Sequence, residues 1–368
     1  MVFALGAQPA HAPDGLETDS LPQLFGEAPA SLSSFFPIAV DFQPPSLFGT
    51  WKSRGINTVI RVPSGTDIER WTSAANTYGL RMIRRARVDP ARDDTETNLL
   101  AFAGQDEPEL NGCSPGCVRA EYLRLKKSAP SKPYLVNLAG ASVLFHAGPG
   151  DPHECNADCM TRYLGAMDWV SHDLYAVNSR LPIDSIGRTL DRLRKWSTRR
   201  PQFAYIEASD FDNDGIRPTR DQFRAQIWHA IIHGARGISY FVVDASSPPT
   251  SPRERPDAVP ADIAAEMQLQ NDRITQLAGI LQTTINPSSI SVQAEAPLEY
   301  SWRHVGSTTY VIALNQSATT IDRAAVKVLG TSVPPTITVR DEGRTIQAMG
   351  NTFTDSFGPY AVHVYQFK

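Results

Sequence analysis

The stretch LLAFAGQDEPE, at residues 99–109, is an apolar run that ends in carboxyl and amide side chains. A continuous apolar run of about four to eight residues is typical of a buried β-strand. Similar runs lie on either side of this one along the chain. Together the eight runs cover residues 37–42, 57–63, 80–86, 99–105, 132–140, 169–177, 201–209 and 237–245.

Segments with the apolar spacing of amphipathic helices separate these runs. Clear examples are residues 67–79, 118–129, 183–198 and 220–235. Strand and helix alternating eight times over about 210 residues predict an α/β fold, the (β/α)8 or TIM barrel. The alternative, a doubly wound open sheet, usually carries a glycine-rich phosphate-binding turn after its first strand. PIAVDFQPPSLFG, at 37–49, has no such turn, so the barrel is favoured.

The pattern changes after the eighth run. A proline-rich loop at 246–262 leads into an amphipathic segment at 263–282, which we expect to close the barrel. From about residue 286 short alternating strands follow, and they predict a small C-terminal antiparallel β-sandwich. The expected organisation is a remnant of a signal peptide at 1–12, a barrel at 13–285 and the β-sandwich at 286–368.

Composition and charge exclude several classes of partner. The net charge is −4, and no run of Lys and Arg is interleaved with aromatic residues, so we expect no nucleic-acid partner. No segment approaches the roughly 20 consecutive apolar residues that span a bilayer, so we expect no membrane span. The chain is expected to be a monomer or a weak oligomer.

The N-terminus and the cysteines both indicate export. MVFALGAQPAHA, at 1–12, has a short apolar stretch followed by Ala-His-Ala, which is typical of the end of a secretory signal. The four cysteines form two C-x-x-x-C pairs, Cys113 with Cys117 and Cys155 with Cys159. Such pairs favour disulfides over a structural zinc site, and sequence alone leaves their connectivity open. The expected location is secreted or periplasmic.

Two glutamates stand where predicted strands end. Glu107 follows the fourth strand, and Glu207 ends the seventh. The carboxyl ends of the strands of a barrel meet at one end, here called the mouth, so the two side chains are expected to converge. Two facing carboxyl groups, one protonated and one ionised, are what glycoside hydrolysis requires. The alternative is structural, with Glu107 capping a turn and Glu207 paired with an arginine.

The sequence resembles the retaining (β/α)8 glycoside hydrolases of clan A over residues about 35 to 285. SRGINTVIRVP, at 53–63, is similar to that clan's second strand, and the resemblance implies that Arg61 supports the nucleophile. DEPE, at 106–109, resembles the clan's Asn-Glu-Pro signature, with Asp106 in place of the asparagine. The resemblance implies cleavage of a β-linked bond, with Glu107 as acid/base, Glu207 as nucleophile and no cofactor. Their carboxyl groups are then expected about 5 to 5.5 Å apart.

Other polar and aromatic residues near strand ends are candidate substrate ligands. The resemblance implies that Tyr175, after the sixth strand, hydrogen bonds the nucleophile. His172 is the next candidate there, although His172 and Asp173 cannot both face inward in a regular strand. The remaining candidates for binding sugar hydroxyls or stacking on a sugar ring are Gln105, Asn137 and Tyr240, with Phe241 as the alternative to Tyr240. The alternative roles are hydrogen bonds of Gln105 and Asn137 to loop backbone, and core packing of the aromatic ring.

DFDNDGIRPTRD, at 210–221, overlays a calcium loop of EF-hand type through Asp210, Asp212 and Asp214. A strand precedes it instead of a helix, and its twelfth residue is Asp instead of Glu, so an ordinary tight loop is favoured. No metal or other cofactor is therefore expected.

The sequence thus predicts an exported retaining glycoside hydrolase that acts on a poly- or oligosaccharide by double displacement. The alternative is a barrel-derived protein that binds carbohydrate without catalysis, and Asp106 in place of asparagine favours it.

Overall fold

A computed structural model of the chain describes residues 30–145, 155–197, 200–244, 246, 254–284, 291–294 and 297–368. The predicted remnant of a signal peptide, at 1–12, lies outside these residues. The domain boundary predicted at 285/286 also lies outside them and stays a prediction. No helix in the described part of the chain is long and apolar enough to cross a membrane.

Eight parallel strands form a closed barrel in which each strand pairs with the next along the chain, and the first pairs with the last. The strands are β1 (Ile38–Asp41), β2 (Thr58–Ile60), β3 (Arg81–Arg84), β4 (Leu99–Asp106), β5 (Tyr134–Leu138), β6 (Trp169–His172), β7 (Gln202–Glu207) and β8 (Gly237–Phe241). The predicted TIM barrel is confirmed, and each strand coincides with one of the eight apolar runs.

Helices surround the barrel. Those described are α1 (Phe48–Ser53), α2 (Ile68–Thr77), α3 (Ala91–Asp94), α4 (Pro115–Ser128), α5 (Gly140–Phe145), α6 (Ala157–Leu164), α7 (Ser185–Ser197), α8 (Arg220–Ile232) and α9 (Ala261–Leu281). Side chains cap several helix starts, as the Thr219–Gln222 capping box does for α8. The long helix α9 packs on α8, where Trp228 Nε1 donates to Gln270 Oε1 at 2.8 Å. It closes the barrel as the sequence predicts.

The barrel interior is apolar below and polar at the mouth. The apolar layer consists of Leu32, Ala39, Ile60, Ile83, Leu100, Ala101, Leu135, Trp169 and Phe203. Because side chains alternate along a strand, residues two positions further on face the same side. In β1, β5, β6 and β7 those residues are Asp41, Asn137, Ser171 and Tyr205. On these four strands a polar layer therefore lies directly above the apolar one.

Both cysteine pairs form local disulfides. Cys113 is bonded to Cys117 and Cys155 to Cys159, with Cα atoms 5.4 and 5.1 Å apart. The prediction of disulfides is confirmed, and the open question of connectivity is settled as local. The Tyr163 hydroxyl of α6 donates to the Cys113 carbonyl at 2.8 Å, which ties the loop before α4 to α6. Export to an oxidising compartment stays a prediction.

The C-terminal part is an antiparallel β-domain, as predicted. Its strands are β9 (Ser291–Ala294), β10 (Leu298–Val305), β11 (Thr308–Asn315), β12 (Ile321–Leu329), β13 (Thr336–Val339), β14 (Arg344–Met349), β15 (Thr352–Phe357) and β16 (Val362–Phe367). They are ordered β10-β11-β16-β13-β14-β15-β12-β9. Val311, Val326, Phe353 and Tyr365, from both halves of this order, share one apolar core. The sheet therefore folds over itself as a sandwich.

The β-domain packs against the barrel through α8 and α9. Ile312 and Val364 belong to the same apolar cluster as the outer face of the barrel. The Arg224 guanidinium of α8 also donates to the Tyr360 carbonyl at 3.2 Å.

His233, which follows α8, adds a charged link at this junction. Its Nδ1 lies 2.8 Å from Asp191 Oδ2 in α7, and its Nε2 lies 3.6 Å from Glu299 Oε2 in β10. Burial alone would lower the pKa of His233, but the two carboxylates raise it to about 9. A histidine with a raised pKa adds stability that is fully present below its unfolded pKa of 6.5 and is lost as the pH rises through about 9.

Between about pH 6.5 and pH 9 we therefore expect the unfolding free energy to fall more in the wild type than in His233→Gln. Urea unfolding of both proteins across this range measures it. An identical pH dependence in the two proteins would contradict the assignment.

Candidate active site

A bulge in β4 turns Asp106 into the barrel. Ala103 and Asp106 are three residues apart, but the residues that they oppose in β5 are only two apart. Regular alternation from Ala103 would face Gln105 inward, and the extra residue faces Asp106 inward instead. Gly104 is required within the bulge, because a Cβ there would lie 2.7 Å from the Tyr134 hydroxyl.

Arg61 joins the inward-facing acidic residues. Its Nη1 lies 2.5 Å from Asp41 Oδ2 and its Nη2 lies 2.6 Å from Asp106 Oδ1. The Tyr205 hydroxyl accepts from Arg61 at 2.8 Å and donates to Asp41 at 2.8 Å. Arg61 follows β2 in the left-handed region, with a φ of 50°. We call Asp41, Arg61, Asp106 and Tyr205 the Arg61 network.

The network continues across β5 and β6. Asn137 Nδ2 donates to Asp106 Oδ1 at 3.1 Å, and the Ser171 hydroxyl donates to Asn137 Oδ1 at 2.8 Å. The predicted sugar ligand Asn137 therefore lies in the polar layer, where it holds Asp106 in place.

Glu107 and Asp173 form a carboxyl pair above this layer. Glu107 directly follows β4 with a φ of 41°, and its N–H donates to the Asn137 carbonyl at 3.0 Å. Asp173 directly follows β6, and its carboxyl group lies within hydrogen-bonding range of that of Glu107. Asp173 Oδ1 also accepts from the N–H of Gly140 at 3.1 Å.

The surroundings favour one proton on this pair. Burial, followed by the charge of Asp106, raises the pKa of Glu107. Burial, followed by the charge of Glu107, raises the pKa of Asp173 well above its ordinary value. Two carboxyl groups in contact resist being ionised together, so they titrate as a unit. The pair can therefore offer a proton donor and an ionised carboxylate at the same time.

Three aromatic side chains lie beside the pair. The Tyr175 and Phe241 rings are stacked with centroids 4.7 Å apart, and Phe211 meets them edge-on at 5.0 and 5.3 Å. All three are partly exposed, and the Tyr175 hydroxyl lies within the field of Asp173 and Asp106. This aromatic platform of Tyr175, Phe211 and Phe241 offers a surface on which the apolar face of a sugar ring can stack.

The structure does not bring Glu207, the predicted nucleophile, together with Glu107. Its side chain is fully buried, and its carboxylate accepts from the N–H groups of Val177 and Asn178 at 2.7 and 2.9 Å and from the Asn178 side chain. The side chain of Gln226 in the outer helix α8 lies next to it. Glu207 therefore anchors the loop after β6, and no oxygen is left facing the mouth.

Removing this anchor should be costly. Glu207→Ala leaves the buried N–H groups of Val177 and Asn178 without a partner, so we expect a loss of about 3 kcal/mol or more in unfolding free energy. Glu207→Gln keeps one acceptor oxygen and should lose clearly less. Urea unfolding of the two variants measures the difference. Wild-type stability of Glu207→Ala would contradict the anchoring role.

Three further predicted ligands lie away from the mouth. Gln105 is exposed and donates to the Asn111 carbonyl at 3.3 Å, because of the bulge. His172 is fully buried on the outer face of β6, where burial lowers its pKa to about 3. Tyr240 is also buried outside the barrel, and its hydroxyl donates to Asn271 Oδ1 of α9 at 2.6 Å. The neighbouring Phe241, the predicted alternative to Tyr240, lies at the mouth.

Sequence reasoning missed the roles of Asp41, Asp173 and Tyr205. The available signal was alternation, because Asp41 and Tyr205 lie two residues after the inward-facing Ala39 and Phe203. From the sequence, Asp173 is only the residue that cannot face inward together with His172 in a regular strand. Ser171 faces inward, so His172 faces outward. Asp173 lies beyond the end of β6, so strand alternation does not determine its direction.

The loop that resembles a calcium site is stabilised internally. Asp210 accepts from the N–H groups of Asp214 and Gly215 at 3.2 and 2.8 Å, and Asp214 pairs with Arg180 at 3.2 Å. Within the described ranges no three His, Cys, Asp or Glu side chains are grouped so that they could hold a metal ion. These bonds are those of an ordinary tight loop, the alternative that the sequence favours.

No protein-family model matches the sequence, and no curated protein matches it. Solved structures share its fold. Gan42B, a GH42 β-galactosidase, aligns over 94% of this chain and 100% of its own, at a TM-score of 0.59 and 9% identity. A GH30 endoxylanase from Clostridium papyrosolvens C71 aligns over 94% of this chain and 97% of its own, at a TM-score of 0.51 and 12% identity. AmyP in complex with maltose aligns over 91% and 95%, at a TM-score of 0.51 and 6% identity. The chain therefore shares the barrel fold of these carbohydrate-active proteins.

Proposed function

We propose that the chain is a glycoside hydrolase that cleaves a poly- or oligosaccharide at the barrel mouth, with Glu107 and Asp173 as its catalytic carboxyl groups. The observation that carries this proposal is the close approach of the Glu107 and Asp173 carboxyl groups beside the aromatic platform. The shared fold of the solved β-galactosidase and endoxylanase supports it as an analogy.

The reaction that we propose is double displacement, for which the two carboxyl groups, in contact here, have to move apart to about 5 to 5.5 Å when a sugar binds between them. The pKa of Asp173 is raised further than that of Glu107, so the pair's proton rests on Asp173 and passes to Glu107 before the reaction begins. The ionised Asp173 then attacks the anomeric carbon, and the departing glycosidic oxygen takes the proton from Glu107. Glu107 then removes a proton from water, whose oxygen attacks the anomeric carbon. The sugar is released, Asp173 regains its carboxylate, and Glu107 is protonated again. In keeping with the clan A resemblance, we propose a β-linked bond.

Asp173 replaces the predicted Glu207 in this scheme for a physical reason. A nucleophile must reach the substrate, and Glu207 is fully buried with its carboxylate bonded to three N–H donors. Asp173 contacts Glu107 and lies at the mouth. The Arg61 network beneath them holds Asp106 beside the pair, with its carboxylate 2.6 Å from the Arg61 guanidinium.

Glu207, the predicted nucleophile, is fully buried, and this also favours a second candidate, a protein that binds carbohydrate on the aromatic platform without hydrolysing it. The two candidates differ in one result. An enzyme releases products from a sugar chain, whereas a binding protein retains the chain intact.

The test is a screen of the purified protein against a panel of plant, bacterial and fungal polysaccharides, with product sizes recorded. We expect new reducing ends from at least one member of the panel. Binding in a pull-down with insoluble polysaccharide, without new reducing ends from any member, would instead support the second candidate. Product sizes also separate internal cleavage from release at chain ends.

A further inference from the structure

Glu109, two residues after Glu107, is partly buried and lies within the field of Asp173. Its Oε1 accepts from the N–H of Ala139 at 2.6 Å. Its Oε2 is buried and has no hydrogen-bond partner among the described residues. An ionised carboxylate oxygen in such a position would be left without a donor, which is costly, so the environment favours a proton there.

The contact with Ala139 leads directly to the carboxyl pair. Ala139 and Gly140 form the turn between β5 and α5, and their consecutive N–H groups donate to Glu109 and to Asp173, at 2.6 and 3.1 Å. The turn is tightly packed, because a Cβ on Gly140 would lie 2.5 Å from the backbone nitrogen of Leu174. Glu109 and Asp173 therefore accept from neighbouring N–H groups of the same tightly packed turn.

Two carboxylates disfavour the ionised form of Glu109, Asp106 from its own segment and Asp173 from the end of β6. A charge on Glu109 would in turn raise the pKa values of Glu107 and of Tyr163 in α6. Burial raises the pKa of Glu109 to about 8; the N–H groups of Glu109 itself and of Ala139 oppose the shift, and the charges of Asp173 and Asp106 add to it.

We propose that Glu109 is a positioning residue that acts as a neutral carboxylic acid: with its proton on Oε2, it holds the Ala139–Gly140 turn and thereby sets Asp173 against Glu107. The catalytic part of this proposal rests on the proposed function, and the protonation state of Glu109 does not.

The positioning role is tested by comparing Glu109→Gln with Glu109→Ala. Glutamine keeps an acceptor oxygen for Ala139 and is neutral like the protonated acid, whereas alanine removes the acceptor. On a substrate found in the screen, we expect Glu109→Ala to lose at least tenfold in kcat, and Glu109→Gln to retain at least tenfold more activity than Glu109→Ala. We also expect the alkaline decline of the wild-type kcat to shift in Glu109→Gln, because the group that ionises near pH 8 is gone. Equal impairment of the two variants would overturn the proposal, as would wild-type kcat in Glu109→Ala.

The protonation state is tested without any substrate. A carboxyl group whose pKa is about 8 when folded and 4.5 when unfolded holds one extra proton in the folded state between these values, so stability falls as the pH rises through them. From urea unfolding between about pH 5 and pH 8, we expect the wild type to release about one proton more on unfolding than Glu109→Gln. Glu121→Gln, an exposed change of the same kind in α4, should leave the number unchanged. The same proton release in wild type and Glu109→Gln would overturn the neutral acid even if the protein hydrolyses sugars. A difference of one proton without any hydrolysis would overturn the proposed function alone.

Discussion

Replacing Glu107 with glutamine should lower kcat by about 10²- to 10⁴-fold, because the variant cannot donate a proton to the departing oxygen. Asp173→Asn should lower kcat by at least as much, because an amide cannot form the covalent intermediate. Both changes conserve shape, and both remove a group whose pKa is raised by burial and by a neighbouring charge. Initial rates of new reducing ends, on the substrate that the wild type cleaves best, measure the effect.

Two matched glutamate-to-glutamine changes make this comparison specific. Glu121→Gln alters an exposed side chain of α4, which is 42% exposed and paired with Arg124, and should hydrolyse at the wild-type rate. Glu207→Gln alters the buried anchor of the loop after β6 and should retain far more activity than Glu107→Gln. An inactive Glu207→Gln together with an active Asp173→Asn would contradict the proposal, because it would identify Glu207 as the nucleophile, as the clan A resemblance implies.

The largest loss of stability is expected at Arg61. The Arg61 and Asp41 side chains are only 9% and 7% exposed, and they lie 2.5 Å apart. Removing one partner of a buried ion pair leaves the other charge uncompensated, which costs about 3 to 5 kcal/mol. We expect Arg61→Met to lose this amount of unfolding free energy, as measured by urea denaturation. The Asp106 contact is half exposed and contributes less.

An exposed ion pair provides the control for Arg61. Arg124→Met breaks the contact of Arg124 with Glu121, whose side chains are 51% and 42% exposed, and should cost at most about 1 kcal/mol. In the double variant Arg61→Met/Asp41→Asn the loss should be smaller than the sum of the two single losses, because the uncompensated charge is gone. Additive losses would show that Arg61 and Asp41 are not coupled.

Most of the fold could be predicted from periodicity. The eight strands coincide with eight apolar runs, because parallel strands covered by helices are buried on both faces and therefore read as continuous apolar stretches. The β-domain was equally visible, since strands such as β13 alternate exposed and buried residues. The local disulfides were consistent with the spacing of the cysteines, but spacing alone does not determine which cysteines pair.

The candidate site was predicted less completely, because it depends on which way each side chain faces at a strand end. The bulge in β4 places Asp106 inside and Gln105 outside, and nothing in the sequence marks the extra residue except Gly104. In β8 the interior position belongs to Phe241, one residue beyond the predicted Tyr240. Glu207 ends β7, and residues 177–178 of the loop after β6 supply three donors to its carboxylate. Contacts between such distant parts of the chain leave no signal in the sequence around Glu207.

The most direct measurement is a crystal structure of Glu107→Gln soaked with the oligosaccharide that the wild type cleaves. We predict a sugar ring on the aromatic platform, the glycosidic oxygen within about 2.6 to 3.2 Å of the side chain at position 107, and Asp173 facing the anomeric carbon. A sugar bound with its anomeric carbon against Glu207, after the loop at residues 177–178 has opened, would contradict this account.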